Sequence, residues 1–259
     1  MKKLMFAAVA ALACTAFAEE TAPVTEIPSD NIVGYTEKTP DALTSIFAPS
    51  FNNITDGTLN LVDIKPVRSG QDPIESGDIQ LQTMDENGSA EATIYYLLAE
   101  EAYEGAPEGW YWEDMTDCDY VFDFGEGIIM TCPYDDATFN SSGEVELTVR
   151  QFTPPALTCI WGNTRPAPVA IADVTVERTS GDPVDSYDIQ LQTMDENGSA
   201  NGLIYYLLAD EADEGSPEGW YWEDMTECDK ELAIGEAIIM TCPYEDAVFT
   251  LPEIIPTAK

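Results

Sequence analysis

Three groups of side chains in this 259-residue sequence could do chemistry. Carboxylates crowd twice: Asp114, Asp117 and Asp119 beside Glu113, then Asp224, Glu227 and Asp229 beside Glu223. Calcium takes hard oxygen ligands packed in a loop, about six to eight of them, and a bound cation relieves their mutual repulsion. Those six residues are therefore the candidate metal ligands. The sequence demands no cofactor, and Ca2+ is the single candidate. EF-hand spacing is missing, and Asp85-Glu86-Asn87-Gly88 suits a hairpin turn better than a calcium loop. With 49 acidic residues such clusters also arise by chance, so a solvated acidic loop is the competing reading.

The second group is aromatic. Trp110-Tyr111-Trp112 and Trp220-Tyr221-Trp222 each follow a Pro-Glu-Gly. On a strand, alternation sends the two tryptophans to one face and the tyrosine to the other. Exposed, Trp110, Trp112, Trp220 and Trp222 would form the stacking platforms of a sugar-binding module; buried, they are core. Tyr95-Tyr96 and Tyr205-Tyr206 read as cross-strand packing.

The third group is the cysteines. Cys118 and Cys132 are spaced like Cys228 and Cys242. In an oxidising compartment these four predict two disulfides, each closing a loop of roughly 15 residues and contributing about 3 kcal/mol. Buried free thiols are the alternative, since cysteine is a good core residue. Cys159 has no counterpart, because Ser45 occupies its place. The chain contains no histidine. That removes Ser-His-Asp and Cys-His catalysis and the usual zinc sites. No phosphate-cradling glycine loop, nucleophile elbow or thiolate metal motif is present.

Ten basic residues against 49 acidic ones give a formal charge of −39. Such a surface repels nucleic acid and anionic membranes and attracts basic partners and divalent cations. Residues 1–18 pair Lys2 and Lys3 with a short apolar run and Ala16-Phe17-Ala18, the pattern of a bacterial export signal cleaved after Ala18. Cleavage before Cys14, with a lipid on its thiol, is the rival reading, though Leu12 fits that motif poorly.

Whatever positions these residues is written twice. Ile79–Ala90 recurs as Ile189–Ala200, Pro107–Thr116 as Pro217–Thr226, and Ile128–Tyr134 as Ile238–Tyr244, each pair at one spacing of 110 residues. From Asp63 to Phe139 about two thirds of positions match. The expected organisation is an export signal (1–18), a flexible leader (19–30), repeat units at 31–140 and 141–254, and a tail (255–259). Ile79–Met84, Ile94–Leu98, Trp110–Trp112 and Ile128–Cys132 read as strands. Asn87-Gly88 suits a type I′ hairpin turn. No segment keeps a 3.6-residue period. The fold class expected is all-β, each unit a sandwich or small barrel. Asn140-Ser141-Ser142-Gly143 predicts a hairpin joining Ala137–Phe139 to Glu144–Val149, so that the units pair edge to edge.

The order of short motifs is similar to that of a group of exported bacterial repeat proteins. It runs through Asn31-Ile32-Val33-Gly34-Tyr35, Asp78-Ile79-Gln80-Leu81, Gly109-Trp110, Gly125-Glu126-Gly127-Ile128 and Ser142-Gly143-Glu144-Val145. The resemblance covers nearly the whole chain after the signal. It implies export and a β-rich unit ending in Gly-Glu-Val, and it carries no site residues.

Repetition with near-identity suits binding avidity or structural packing better than catalysis. The expectation is a non-enzymatic structural or interaction protein, exported to the periplasm, cell surface or extracellular space. Its expected partners are envelope components, polysaccharide or basic proteins. A tandem carbohydrate-binding module assisted by calcium is the alternative, and a carboxylate-pair hydrolase ranks third.

Overall fold

The computed structural model describes residues 33–39, 43–49, 59–70, 73–85, 87–144, 149–154, 157–195, 199–209 and 216–254. The expected signal (1–18), leader (19–30) and tail (255–259) lie outside them. The protein is all-β: among the described residues the only helical turns are 3-10 turns at Leu61–Asp63 and Ile171–Asp173.

The first set of strands is β1 (Val33–Lys38), β2 (Thr44–Phe47), β3 (Leu59–Asn60), β4 (Lys65–Arg68), β5 (Gln80–Met84), β6 (Ala90–Leu97), β7 (Gly109–Trp112), β8 (Val121–Phe122), β9 (Ile128–Thr131) and β10 (Ala137–Glu144). They form antiparallel sheets in the orders β1-β10-β4, β2-β9-β5-β6-β7 and β3-β8. The second set is β11 (Arg150–Phe152), β12 (Thr158–Gly162), β13 (Val169–Ala170), β14 (Thr175–Arg178), β15 (Gln190–Met194), β16 (Ala200–Leu207), β17 (Gly219–Trp222), β18 (Glu231–Leu232), β19 (Ala237–Thr241) and β20 (Ala247–Leu251). Its sheets repeat the pattern as β11-β20-β14, β12-β19-β15-β16-β17 and β13-β18. Among the described residues all six sheets are open, and no barrel closes.

Alternation makes these strands. In β5 the burial pattern puts Leu81 and Thr83 inside, and in β20 Ala247, Phe249 and Leu251. Pro66 sits in β4, an edge strand, where a missing N–H breaks no ladder. Each set encloses its own apolar interior. One holds Leu81, Ile94, Trp110, Phe122, Met130 and Phe139; the other holds Leu191, Ile204, Trp220, Leu232, Met240 and Phe249.

A third apolar cluster joins the two sets: Ile46 and Ala48 with Ile160 and Ala237, flanked by Met84, Ile129, Met194 and Ile239. Ladder register makes Ile46 the counterpart of Ile160, and Ala48 that of Gly162. The contacts are reciprocal. Gly162 N donates to Gly125 O at 2.7 Å, and Ala48 N donates to Gly235 O at 3.4 Å. Counterparts touching counterparts is the mark of an isologous interface. On its axis a Cβ built on Gly162 would lie 2.0 Å from Ala48 Cβ.

Three expectations are corrected. Asn140–Gly143 is no turn: β10 runs unbroken from Ala137 to Glu144 and pairs with β1, Val33 facing Glu144 and Lys38 facing Phe139. Strand β10 thus crosses the expected 140/141 boundary, and β1 occupies the edge a bridging hairpin would have used. The hairpin turn of Asp85–Gly88 closes through Gly88 N to Asp85 O at 2.9 Å. Gly88, at φ +77, is therefore the fourth residue of the turn instead of the third. Lastly, Cys118, Cys132, Cys228 and Cys242 are unbonded and buried. Cys118 N donates to Trp110 O on the outer edge of β7, whereas Cys132 follows β9. Strands β5, β6 and β7 intervene, on the order of 15–20 Å of sheet at the usual strand spacing, far beyond disulfide reach.

Candidate functional site

The carboxylates singled out as metal ligands are used one at a time. Asp114 Oδ1 accepts from Thr116 N at 3.0 Å and from its hydroxyl at 2.6 Å; Asp117 Oδ1 accepts from the Tyr103 hydroxyl at 2.9 Å; Asp119 Oδ1 accepts from Trp112 Nε1 at 3.1 Å. Asp224 repeats the first arrangement with Thr226, and Asp229 the last with Trp222. Glu227 bridges in register with Tyr221. Hydrogen bonds from Thr116 and Thr226 hold Asp114 and Asp224 below the usual carboxylate range. Among the described residues no three acids or cysteines converge as a ligand set.

The tryptophans separate. Trp110 and Trp220 are buried, and their Nε1 atoms donate to the carbonyls of Ile64 and Val174 at 2.7 and 2.8 Å. Trp112 and Trp222 are half-buried. A two-indole platform is therefore absent from each sheet, and one partly open indole remains per repeat. Tyr111 and Tyr221, expected on the opposite face, are indeed there but also buried, Tyr111 under Leu97 and Ala106.

The site the sequence did not reveal lies between the strand sets. An open cleft of about 290 Å³ runs between Thr83–Asp85 and the 120–127 loop on one side and β11–β12 on the other. Tyr120, Phe124, Phe152 and Trp161 supply ring walls, and Asp85, Asp123 and Glu126 supply carboxylates; among the described residues no lysine or arginine lines it, and Arg150 stands over the Phe124 ring at its margin. The Tyr120 hydroxyl donates to Glu126 Oε1, and Asp123 N donates to Oε2 at 2.8 Å. Burial pushes both the Glu126 carboxyl and the Tyr120 hydroxyl up. Phe152 stacks on Trp161, centroids 5.5 Å apart. Trp161 is 2% exposed, and its Nε1 has no hydrogen-bond partner. Burial, with Cys242 and Glu126 nearby, pushes the Cys159 thiol up to about 12, away from the reactive thiolate form.

The second strand set offers a smaller counterpart of about 200 Å³, lined by Ser45, Asp195, Lys230 and Glu236. There the loop acid is held by an ammonium: Lys230 Nζ reaches Glu236 Oε1 at 2.5 Å, and Ala233 N reaches Oε2 at 2.8 Å. Tyr120 stands where Lys230 stands, and Phe124 where Ile234 stands. By register Trp161 replaces Phe47, Phe152 replaces Lys38 and Cys159 replaces Ser45. One signal in the sequence could have found this cleft. Between Asp63 and Phe139 the longest unbroken run of differences from the second repeat is Tyr120–Phe124 against Lys230–Ile234.

Compared with protein families, curated proteins and solved structures, the chain matches none.

Proposed function

We propose that this is a non-enzymatic interaction protein, exported to the cell envelope or beyond, and that it binds its ligand in the cleft between the repeats. The observation that carries the reading is the contrast between two copies that match at about two thirds of aligned positions: Tyr120, Phe124 and Phe152 line this cleft where the other copy carries Lys230, Ile234 and Lys38, beside an indole N–H left without an acceptor. A buried donor without a partner costs about 1–3 kcal/mol, which a ligand acceptor would recover. The carboxylates argue against hydrolysis. Glu126 has both oxygens engaged by its own loop, just as Glu236 has.

Two-dimensional spectra of the full exported chain, labelled at its indole nitrogens, test the reading. Neutral oligosaccharides, calcium and organic cations are added in turn. Saturable movement of the Trp161 indole resonance, with those of Trp110 and Trp220 still, is the expected result. Turnover of chromogenic glycosides that Glu126→Gln abolishes would replace binding with catalysis. Export is checked by fractionation and by an N-terminus at Glu19. The carbohydrate reading now rests on Trp112 and Trp222, the half-open indoles; oligosaccharides that move those two resonances instead would favour it.

A further inference from the structure

We propose that the inter-repeat cleft takes an organic ammonium, a primary or methylated amine carrying a hydrogen-bond acceptor for Trp161 Nε1. The inference rests on the binding role given above and names its ligand class.

The second strand set supplies the comparison. Its cleft carries a built-in cation, Lys230, whose ammonium sits against the loop acid Glu236. In the first cleft the same loop, with the same glutamate, has Tyr120 in that place. Removing the ammonium leaves Asp85 and Asp123 on the cleft wall, where no lysine or arginine is among the described lining residues and Arg150 stands at the margin over Phe124. Asp85 stays ionised, because the amides of Ser89 and Asn87 donate to its carboxylate and hold it below the usual range. Tyr120 and Phe124, in the places of Lys230 and Ile234, line the cleft, and aromatic rings attract cations. One such contact already exists at the margin, where the Arg150 guanidinium stands 4.7 Å over the Phe124 ring.

The remaining element fixes the ligand's second feature. Trp161 Nε1 is a donor only, buried and unpartnered, in an indole that lines the cleft and abuts Gly125. A carbonyl or hydroxyl beside the ammonium would satisfy it. An anion meets the carboxylates and is rejected. An apolar ligand leaves the indole N–H and the acids as they were.

Two sources offer this chemistry, a free small ammonium and the lysine side chain of a basic protein. Calorimetry on the full exported chain separates them, with choline as one probe and an acetylated, amidated Gly-Lys-Gly peptide as the other. The probe that binds more tightly names the source. The neutral isostere of choline, 3,3-dimethylbutanol, and maltotriose complete the set. The ammonium probes are expected to move the Trp161 indole resonance, and the neutral isostere to bind about tenfold or more weakly. Tyr120→Lys restores an internal cation and is expected to weaken the ammonium by a similar factor while the fold persists, since the second repeat carries lysine there. Should that variant not fold, Phe124→Ile, which copies Ile234, serves in its place. An isostere that binds as well as choline, or a folded Tyr120→Lys of unchanged affinity, overturns the proposal. If maltotriose alone moves the Trp161 resonance, the ligand class falls and the binding role stands. If no probe moves it, both fall.

Discussion

Trp110 and Trp112 lie two residues apart on one face of β7, yet the structure asks different things of them. The Trp110 indole is enclosed and donates to a buried carbonyl, that of Ile64. The Trp112 indole is half open and donates to an exposed carboxylate, that of Asp119. Trp110→Phe therefore leaves a buried acceptor unpaired and a small void, a loss of about 2–3 kcal/mol, whereas Trp112→Phe loses less than about 1 kcal/mol. Urea midpoints of the two variants measure the contrast, and equal losses would contradict it. A second residue-scale device is the Arg178–Asp246 clasp. Asp246 accepts from Arg178 Nε at 2.9 Å and from Ser180 N at 3.1 Å, with Arg178 over the Tyr244 ring. Hydrogen bonds from Ser180 and Arg178 lower its carboxyl to about 2. A folded value below the unfolded 3.8 adds stability that is present above that pH and lost as pH falls through about 2. Asp246→Asn should narrow the difference in Tm between pH 5 and pH 2; an unchanged difference assigns the acid loss elsewhere. The alternation in Trp-Tyr-Trp was legible in the sequence. The burial of Tyr111 on the far face was not, because its cover, Leu97 with Ala106, comes from a loop whose path alternation does not encode.

Strand β12 meets β2 across the axis relating the two sets, and one pair of small residues permits it. Gly162 and Ala48 are counterparts in their ladders and also neighbours in space. Gly162→Ala brings two methyl carbons together on rigid backbone, an overpacking cost of about 1–3 kcal/mol or more. Because the two positions are equivalent, Ala48→Gly in the same chain should restore most of the lost Tm, while Gly109→Ala, with nothing within 4 Å of its Cβ, shows what loss of a strand glycine does without a clash. Failure of the double variant to recover would mean the two positions do not meet reciprocally. The sheet order makes a second claim at this scale. With three strands between Cys118 and Cys132, the full chain unfolded without reductant should show reactive thiols at both, and at Cys228 and Cys242. Protected thiols at all four would require a different order of strands. Spacing in the sequence suggested disulfides because it counts residues along the chain and not strands across the sheet. For the same reason β10 was missed: Asn140–Gly143 has the composition of a turn, but β1, more than a hundred residues away, captures it as strand. The cleft was hidden similarly, its walls arriving from 83–85, 120–127 and 152–161.

At the scale of the whole molecule the opposing terms are apolar burial and charge. Apolar clusters hold the described residues together, one of them spanning both strand sets. Against them stands a formal charge of −39, and among the described residues only three ion pairs are resolved: Arg68–Asp136, Arg178–Asp246 and Lys230–Glu236. Self-repulsion of this kind reaches about 30 Å at 0.01 M ionic strength and about 8 Å at 0.15 M. Raising sodium chloride between those concentrations should therefore raise Tm, steeply at first and then flattening as the screening length falls below the spacing between surface acids. Calcium separates general screening from a site. The six acids Asp114, Asp117, Asp119, Asp224, Glu227 and Asp229 are spread over separate hydrogen bonds and bridges, without a shared centre. Calcium and magnesium at matched ionic strength should then give superimposable melting curves. A bound ion would instead stabilise in proportion to the logarithm of its concentration over its dissociation constant, and for calcium alone. Such a calcium-specific rise, lost in Asp117→Asn with Asp119→Asn, would show that the acids gather around a metal after all. Its absence would leave the acidic surface as a general medium that concentrates cations around the molecule without a metal site at these six acids.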